Sequence, residues 1–72
     1  MTRPTAAEVI ARHADRILAI AGVVGMAEGL FDNQPCIQIH MAIDDDTVRM
    51  SLPSLLDGYP VITIVTGEAE LL

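Results

Sequence analysis

The only cysteine of the chain, Cys36, lies four residues before His40, and Met41 follows, within the segment PCIQIHMAIDDD. Thiolate, imidazole and thioether groups are soft metal ligands, so this segment could be a metal site. On a strand, at about 3.3 Å per residue, the Cα atoms of Cys36 and His40 lie about 13 Å apart. Two donors to one zinc ion lie within about 4 Å of each other, because the Zn–S and Zn–N bonds are ~2.3 Å and ~2.0 Å. Cys36 and His40 therefore cannot both bind one ion from a straight strand.

A metal site would need ligands from a neighbouring strand, such as Met26 or Glu28, or from a second subunit. The period of two places Cys36, Gln38 and His40 on one face of the strand. We therefore predict a packed or solvated polar face in preference to a metal site of Cys36, His40 and Glu28. No cofactor is predicted.

The other motifs lack the spacing that catalytic or ligand-binding chemistry requires. The run Asp44–Asp46 has neither the alternate spacing nor the glycine of a calcium loop, so we predict a solvated turn that caps a helix. Ser51 and Ser54 have no GxSxG turn around them. A phosphate-binding glycine loop precedes a helix, whereas the glycines here precede a predicted strand; they are Gly22, Gly25 and Gly29.

Nucleophilic and general-base catalysis are not predicted either. A reactive cysteine needs a nearby cation, a histidine within hydrogen-bond reach or a helix N-terminus, and His40 is too far from Cys36 along the strand. His13 lies beside the apolar stripe of the first predicted helix, where a half-buried histidine is more common than a general base. The sequence thus predicts no catalytic residue.

Composition disfavours several classes of partner. The chain has four arginines, no lysine and ten acidic residues, for a net charge of -6, so it cannot assemble the basic patch that nucleic acid requires. The longest apolar stretch, residues 17 to 27, is too short to span a bilayer, and the N-terminal segment lacks the apolar run of a signal peptide. We predict an acidic cytoplasmic protein with a free thiol.

A chain of 72 residues forms one domain, residues 1 to 72, with a thin core. Its aromatic residues are Phe31 and Tyr59, so the core must be mainly aliphatic. A core of this size supplies about 3–5 kcal/mol, and small domains usually add a disulfide, a metal or a partner subunit. A single cysteine cannot form an internal disulfide, so we predict a homo-oligomer, with another protein partner possible.

The periodicity of apolar residues predicts the order α-β-β-α-β. Thr5 and Glu8 have the spacing of a capping box, and Gly22 is predicted to end the first helix. The predicted apolar stripe of that helix consists of Ile10, Ala14, Ile17, Leu18 and Ala21. From Val23 a strand is predicted, in which Val23, Gly25, Ala27 and Gly29 form a nearly bare face.

The FDNQP segment predicts a turn, and CIQIHMAI predicts the second strand, with Ile37, Ile39, Met41 and Ile43 on one side. In LPSLLDGYPV, Pro53 suits the first position of a second helix, in which Leu55 and Leu56 would contact the core before Gly58 ends it. The run PVITIVT is the last predicted strand.

A right-handed crossover would make the second and third strands parallel, with the second strand central. The predicted fold class is therefore α+β: a two-layer ferredoxin-like sandwich that lacks one strand, with a three-stranded mixed sheet and both helices on one face. The other face, including Val23, Cys36, Gln38 and His40, would be uncovered, and we predict that the monomer is not stable.

A resemblance to a known family lies in three segments, GVVGMAEG, PCIQIHM and LPSLLDGYPVITIVTG. In these segments the chain resembles a small bacterial α/β domain found alone or joined to trypsin-like serine protease domains. The resemblance covers roughly residues 10 to 67 and implies a ferredoxin-like accessory module without a catalytic residue. Glu28, Cys36 and His40 depart from it, because small or β-branched residues are expected at those positions.

Three functions remain open. The first is a non-catalytic interaction or accessory module that self-associates through its sheet. The second is a small metal or ligand carrier that uses the face formed by Cys36, Gln38 and His40. The third, suggested by the protease resemblance, is a propeptide-like inhibitor whose tail, residues 66 to 72, enters a protease cleft.

Overall fold

The computed structural model describes residues 4–66. Their elements are α1 (Ala6–Leu18), β1 (Val23–Phe31), β2 (Gln34–Met41), α2 (Asp46–Ser51), β3 (Leu55–Leu56) and β4 (Tyr59–Val65). The strands form one sheet in the order β1-β2-β4-β3, in which β1–β2 and β3–β4 are antiparallel and β2–β4 is parallel. The chain is therefore α+β with a four-stranded mixed sheet, where three strands were predicted. The predicted central position of β2 and its parallel pairing are confirmed.

Helix α1 begins at the predicted capping box. The Glu8 amide donates to Thr5 Oγ1 at 3.1 Å, and the Thr5 amide donates to Glu8 Oε1 at 2.8 Å. The hydrogen bond from the Thr5 amide is the main reason why the pKa of Glu8 lies below its ordinary value of 4.5. Two amides at the helix start that have no partner within the helix thus gain hydrogen bonds from a segment of four residues.

The end of α1 and its buried face differ from the prediction. The helix ends at Leu18, and Gly22, with φ of 97°, lies in the turn that follows, where a Cβ would come 3.1 Å from Val48 Cγ2. The buried residues are Ala6, Val9 and Ile17, whereas Leu18 of the predicted stripe is 46% exposed. The helix is therefore rotated so that Val9 contacts the sheet, since packing against β1 and β2 decides which side is buried.

Strands β1 and β2 form the predicted hairpin around Asp32 and Asn33, whose φ values are 55° and 63°. Positive φ at both positions gives the primed turn whose twist matches that of the strands. An irregularity between Val23 and Gly25 shifts the register, so that Val23 pairs with Met41. This bulge moves Val23 into the core, where it is 8% exposed, and the prediction that Val23 lies on the bare face is wrong.

The second helix lies earlier in the sequence than predicted. Helix α2 is capped by Asp45, whose Oδ1 accepts from the amides of Thr47 and Val48 at 2.8 and 3.4 Å. The predicted helix at Leu55 and Leu56 is instead strand β3, joined to β4 by a turn in which Asp57 and Gly58 have φ of 49° and 91°.

The residues of the turn explain why a hairpin forms here in place of the predicted helix. Asp-Gly between apolar residues accepts the two positive φ values that a two-residue turn requires. Pairing Leu56 with Tyr59 brings both side chains into the core, with exposures of 4% and 6%, while Leu55 is left outside. A helix at this position could not have placed Leu56 beside Tyr59.

Both helices lie on the sheet face that carries Ile37 and Ile39, which are fully buried. Helix α2 is held over β4 by a hydrogen bond of 3.4 Å from Arg49 Nε to Thr63 Oγ1, and Val48 packs against the core. Between residues 4 and 66, neither helix combines the length and the apolar character needed to cross a membrane.

The two neighbouring leucines of β3 provide a matched test. We expect Leu56→Ala to lower the free energy of unfolding by about 2–5 kcal/mol, because it leaves a cavity in the core. In dilute solution, where the chain is monomeric, Leu55→Ala at an exposed position should change it by less than about 0.5 kcal/mol. Urea unfolding followed by circular dichroism measures both; equal losses would contradict the hairpin register.

Candidate functional site

The sheet face opposite the helices, named here the open face, is defined by strand register and side-chain alternation. Pairing places Ala27 beside Gln38 and Gln38 beside Ile62, and Leu55 lies opposite Pro60. Its residues are Gly25, Ala27, Gly29 and Phe31 of β1, Gln34, Cys36, Gln38 and His40 of β2, Leu55 of β3, and Pro60, Ile62 and Ile64 of β4. The polar residues of the predicted face thus lie on it together.

The predicted metal residues are divided between the two faces of the sheet. Cys36 and His40 lie on the open face, whereas Glu28 pairs with Ile37 on the helix-bearing face. One chain cannot bring Glu28 to the other two, so a site that includes all three needs a second subunit. Within residues 4–66 no three histidine, cysteine or carboxylate side chains converge on a common point.

Polar side chains of β2 lie over the glycines of β1. His40 Nε2 is 3.2 Å from Gln38 Oε1, and the Gln38 amide lies so close over Gly29 that a Cβ there would collide with Gln38 Nε2. A Cβ on Gly25 would lie 3.8 Å from His40 Nδ1. The glycines therefore make room for Gln38 and His40 to lie flat, and the centre of the open face is shallow and polar.

A second polar cluster joins α1 to the turn between β3 and β4. Arg16 Nη2 is 2.8 Å from His13 Nδ1, and because arginine only donates, Nδ1 is the acceptor. His13 then carries its proton on Nε2 and donates it to Asp57 Oδ2 at 3.2 Å, which Arg12 Nη1 also contacts at 3.2 Å.

This cluster holds the turn in place and has no free base. His13 is half-buried, as predicted, with a side chain 19% exposed, and both of its ring nitrogens are occupied. A general base needs an unprotonated nitrogen within reach of a substrate. The sequence did not single out Asp57; its only local signal was the Asp-Gly pair of the turn.

The acidic run is used to build structure. Asp45 caps α2, while Arg49 pairs with Asp44 at 2.6 Å and with Asp46 at 3.0 Å. The hydrogen bond and charge of Asp44 raise the pKa of Arg49 above its ordinary value. The prediction that the run Asp44–Asp46 is a turn that caps a helix is confirmed, and its carboxylates do not point to one cation.

Two of the shallow grooves formed by residues 4–66 lie beside α1. One has a volume of about 380 Å³ and is lined by Arg16, Ile17, Ile20, Ser51, Leu52 and Pro53. The other has a volume of about 480 Å³ and is lined by Ala6, Glu28, Gly29, Leu30 and Pro35. Neither lining pairs a nucleophile with a base, so neither has the components of a hydrolytic site.

The prediction that Cys36 is uncovered is wrong, because Cys36 is 1% exposed although it lies on the open face, and its thiol is therefore inaccessible in the folded chain. We expect iodoacetamide to modify native Cys36 at least about tenfold more slowly than the same residue in urea, because modification requires an exposed thiolate. Mass spectrometry over time measures both rates. Equal rates would show that Cys36 is accessible and return it to consideration as a reactive group.

Comparison with known proteins gives no family for this chain. No protein-family model, no curated protein and no solved structure matches it.

Proposed function

We propose that this chain is a non-catalytic interaction module that associates with a second copy of itself through the open face. One observation carries the proposal: the open face contains no aspartate, glutamate or arginine, in a chain that has ten acidic residues and four arginines. Interface centres are depleted of charge in the same way.

The apolar side chains of the open face lack a complete cover. Phe31 and Leu55 are 56% and 59% exposed, and Ile62 and Ile64 are only partly buried. Burying apolar surface stabilises association by roughly 25 cal/mol per Å² before the entropy of association is subtracted. The open face of a second copy supplies apolar surface of the same kind. Because neither open face has an acidic residue or arginine, pairing them brings no like charges together, although each copy carries a net charge of -6.

The size of the open face supports the proposal of a dimer that dissociates readily. Strands about 4.8 Å apart and about seven residues long give the face a projected area of roughly 300–400 Å². A standard interface buries about 800 Å² on each partner, about a sixth of the 4975 Å² exposed by this chain. We therefore propose a micromolar equilibrium between monomer and dimer.

The finer description of the fold is also a proposal. The order α1-β1-β2-α2-β4, with a parallel crossover over one face, supports a ferredoxin-like sandwich that lacks its first strand, with β3 as an added edge hairpin. An accessory role beside a larger enzyme is consistent with such a module. The single free cysteine supports a cytoplasmic location.

The two alternative functions have less support. A metal or ligand carrier would use Cys36, Gln38 and His40, but Cys36 is buried and Glu28 lies on the other face. The tail of a propeptide-like inhibitor would be residues 66 to 72, of which residues 67 to 72 lie outside the described residues. The open face therefore supports the interaction module best.

Two isoleucines provide the test. We expect light scattering of the unmodified chain to give a mass that rises from 7.7 kDa toward twice that value as concentration increases through the micromolar range. Ile62→Glu places a charge on the open face and should hold the mass at the monomer value, because an unpaired charge cannot be buried without cost. Ile43→Glu makes the same change in a loop, where Ile43 is 56% exposed, and should leave association intact.

Circular dichroism of each variant checks that the fold is retained. A mass that stays at 7.7 kDa at every concentration, or that falls equally in Ile62→Glu and Ile43→Glu, would contradict association through the open face.

A further inference from the structure

We propose that the outer edge of β1, which pairs with no other strand of residues 4–66, is a second binding surface, which accepts an extended basic peptide segment of a partner protein as an added strand. This surface is separate from the open face and does not depend on self-association. Three observations carry the proposal: the direction of the edge hydrogen-bonding groups, the groove beside them, and the charge of Glu28.

The turn at Asp32 and Asn33 fixes which backbone groups point outward. The residues that flank a two-residue turn, Phe31 and Gln34, form a hydrogen-bonded pair, and such pairs alternate along an antiparallel ladder. Backbone groups of every second residue therefore point away from β2. Between the turn and the bulge these outward residues are Met26, Glu28 and Leu30, which form a row of donors and acceptors at the sheet edge.

The same three residues place their side chains on the helix-bearing face, where one of the grooves lies. That groove of about 480 Å³ is lined by Ala6 of α1 together with Glu28, Gly29, Leu30 and Pro35. Leu30 is 72% exposed, so the apolar wall of the groove is uncovered. A strand added to β1 would direct alternate side chains into this groove, which is how strand addition gains specificity.

The charge of the edge selects the partner. Glu28 is the only charged residue of β1, and among residues 4–66 it forms no ion pair. The three arginines in that range are paired elsewhere, with Asp57, His13, Asp44 and Asp46. A second copy pairing at this edge would bring a like charge near Glu28, whereas a lysine or arginine of a partner strand would complement it.

The occupant is therefore an extended segment with a basic residue beside Glu28 and an apolar residue two positions away. A peptide of sequence TVTRTVT has this pattern, with its apolar and basic side chains on one face. The matched peptide TVTETVT differs only in the sign of the central charge. Fluorescence anisotropy of each labelled peptide, titrated with the full chain, measures binding.

We expect the arginine peptide to bind more tightly than the glutamate peptide. Glu28→Gln should weaken the arginine peptide about two- to fivefold, the range for an exposed ion pair, and reduce the preference between the peptides. Asp32→Asn removes the same charge from the adjacent turn, where asparagine also tolerates positive φ, and should leave binding unchanged.

Leu30 tests the backbone contact. Leu30→Pro removes an outward N–H without breaking the ladder with β2, so the fold should persist while binding falls more than about tenfold. Leu30→Ala keeps the N–H and should weaken binding by less than about threefold. Thermal unfolding of both variants confirms that each is folded.

Several results would overturn the proposal: no binding at about 1 mM peptide, equal losses in Glu28→Gln and Asp32→Asn, or equal binding by Leu30→Pro and Leu30→Ala. Loss of peptide binding in Ile62→Glu would assign the peptide to the open face instead. If Leu30→Pro abolished the concentration-dependent mass of the chain, the edge would belong to a second copy. Retained peptide binding in Ile62→Glu supports two separate surfaces.

Discussion

The structure depends on the central strand β2, whose Ile37 and Ile39 are fully buried between α1 and the neighbouring strands. Its backbone is paired on both sides, antiparallel to β1 and parallel to β4. Side-chain alternation along β2 then assigns each residue to a face: the isoleucines to the helices, and Cys36, Gln38 and His40 to the open face. The core and the candidate interaction surface are thus two sides of one strand.

The charged residues around this strand differ between three regions: the turns and helix starts, the open face, and the edge of β1. Away from the open face, charged residues stabilise a helix start and turns. Asp45 caps α2, Arg49 pairs with Asp44 before that helix, and Asp57 of the turn between β3 and β4 pairs with Arg12. The open face carries no aspartate, glutamate or arginine. The edge of β1 carries one carboxylate, that of Glu28, which forms no ion pair among residues 4–66. The described part of this acidic chain therefore has a sheet face without acidic residues or arginine and a β1 edge with one carboxylate.

Local signals in the sequence predicted the elements whose hydrogen bonds join residues that are close together in the sequence. The capping box of Thr5 and Glu8, the turn after Phe31 and the alternation of β2 as far as Met41 appear as predicted, whereas Ile43 lies beyond the strand and is 56% exposed. Each of these depends on residues within a few positions of one another. The Asp-Gly pair at positions 57 and 58 was an equally local signal, but Pro53 and the two leucines were given more weight, and a hairpin was interpreted as a helix.

The sequence by itself determined the α+β class, the order of the first three elements and the residue types that share the polar face of β2. Only the tertiary structure decided three further features. The bulge after Val23 brought that residue into the core. Packing turned the face of α1 that carries Val9 toward the sheet. Strand pairing placed Glu28 beside Ile37, on the face opposite to Cys36 and His40. The reason is physical: alternation states which residues share a face, but the register with a neighbouring strand decides which face becomes the core.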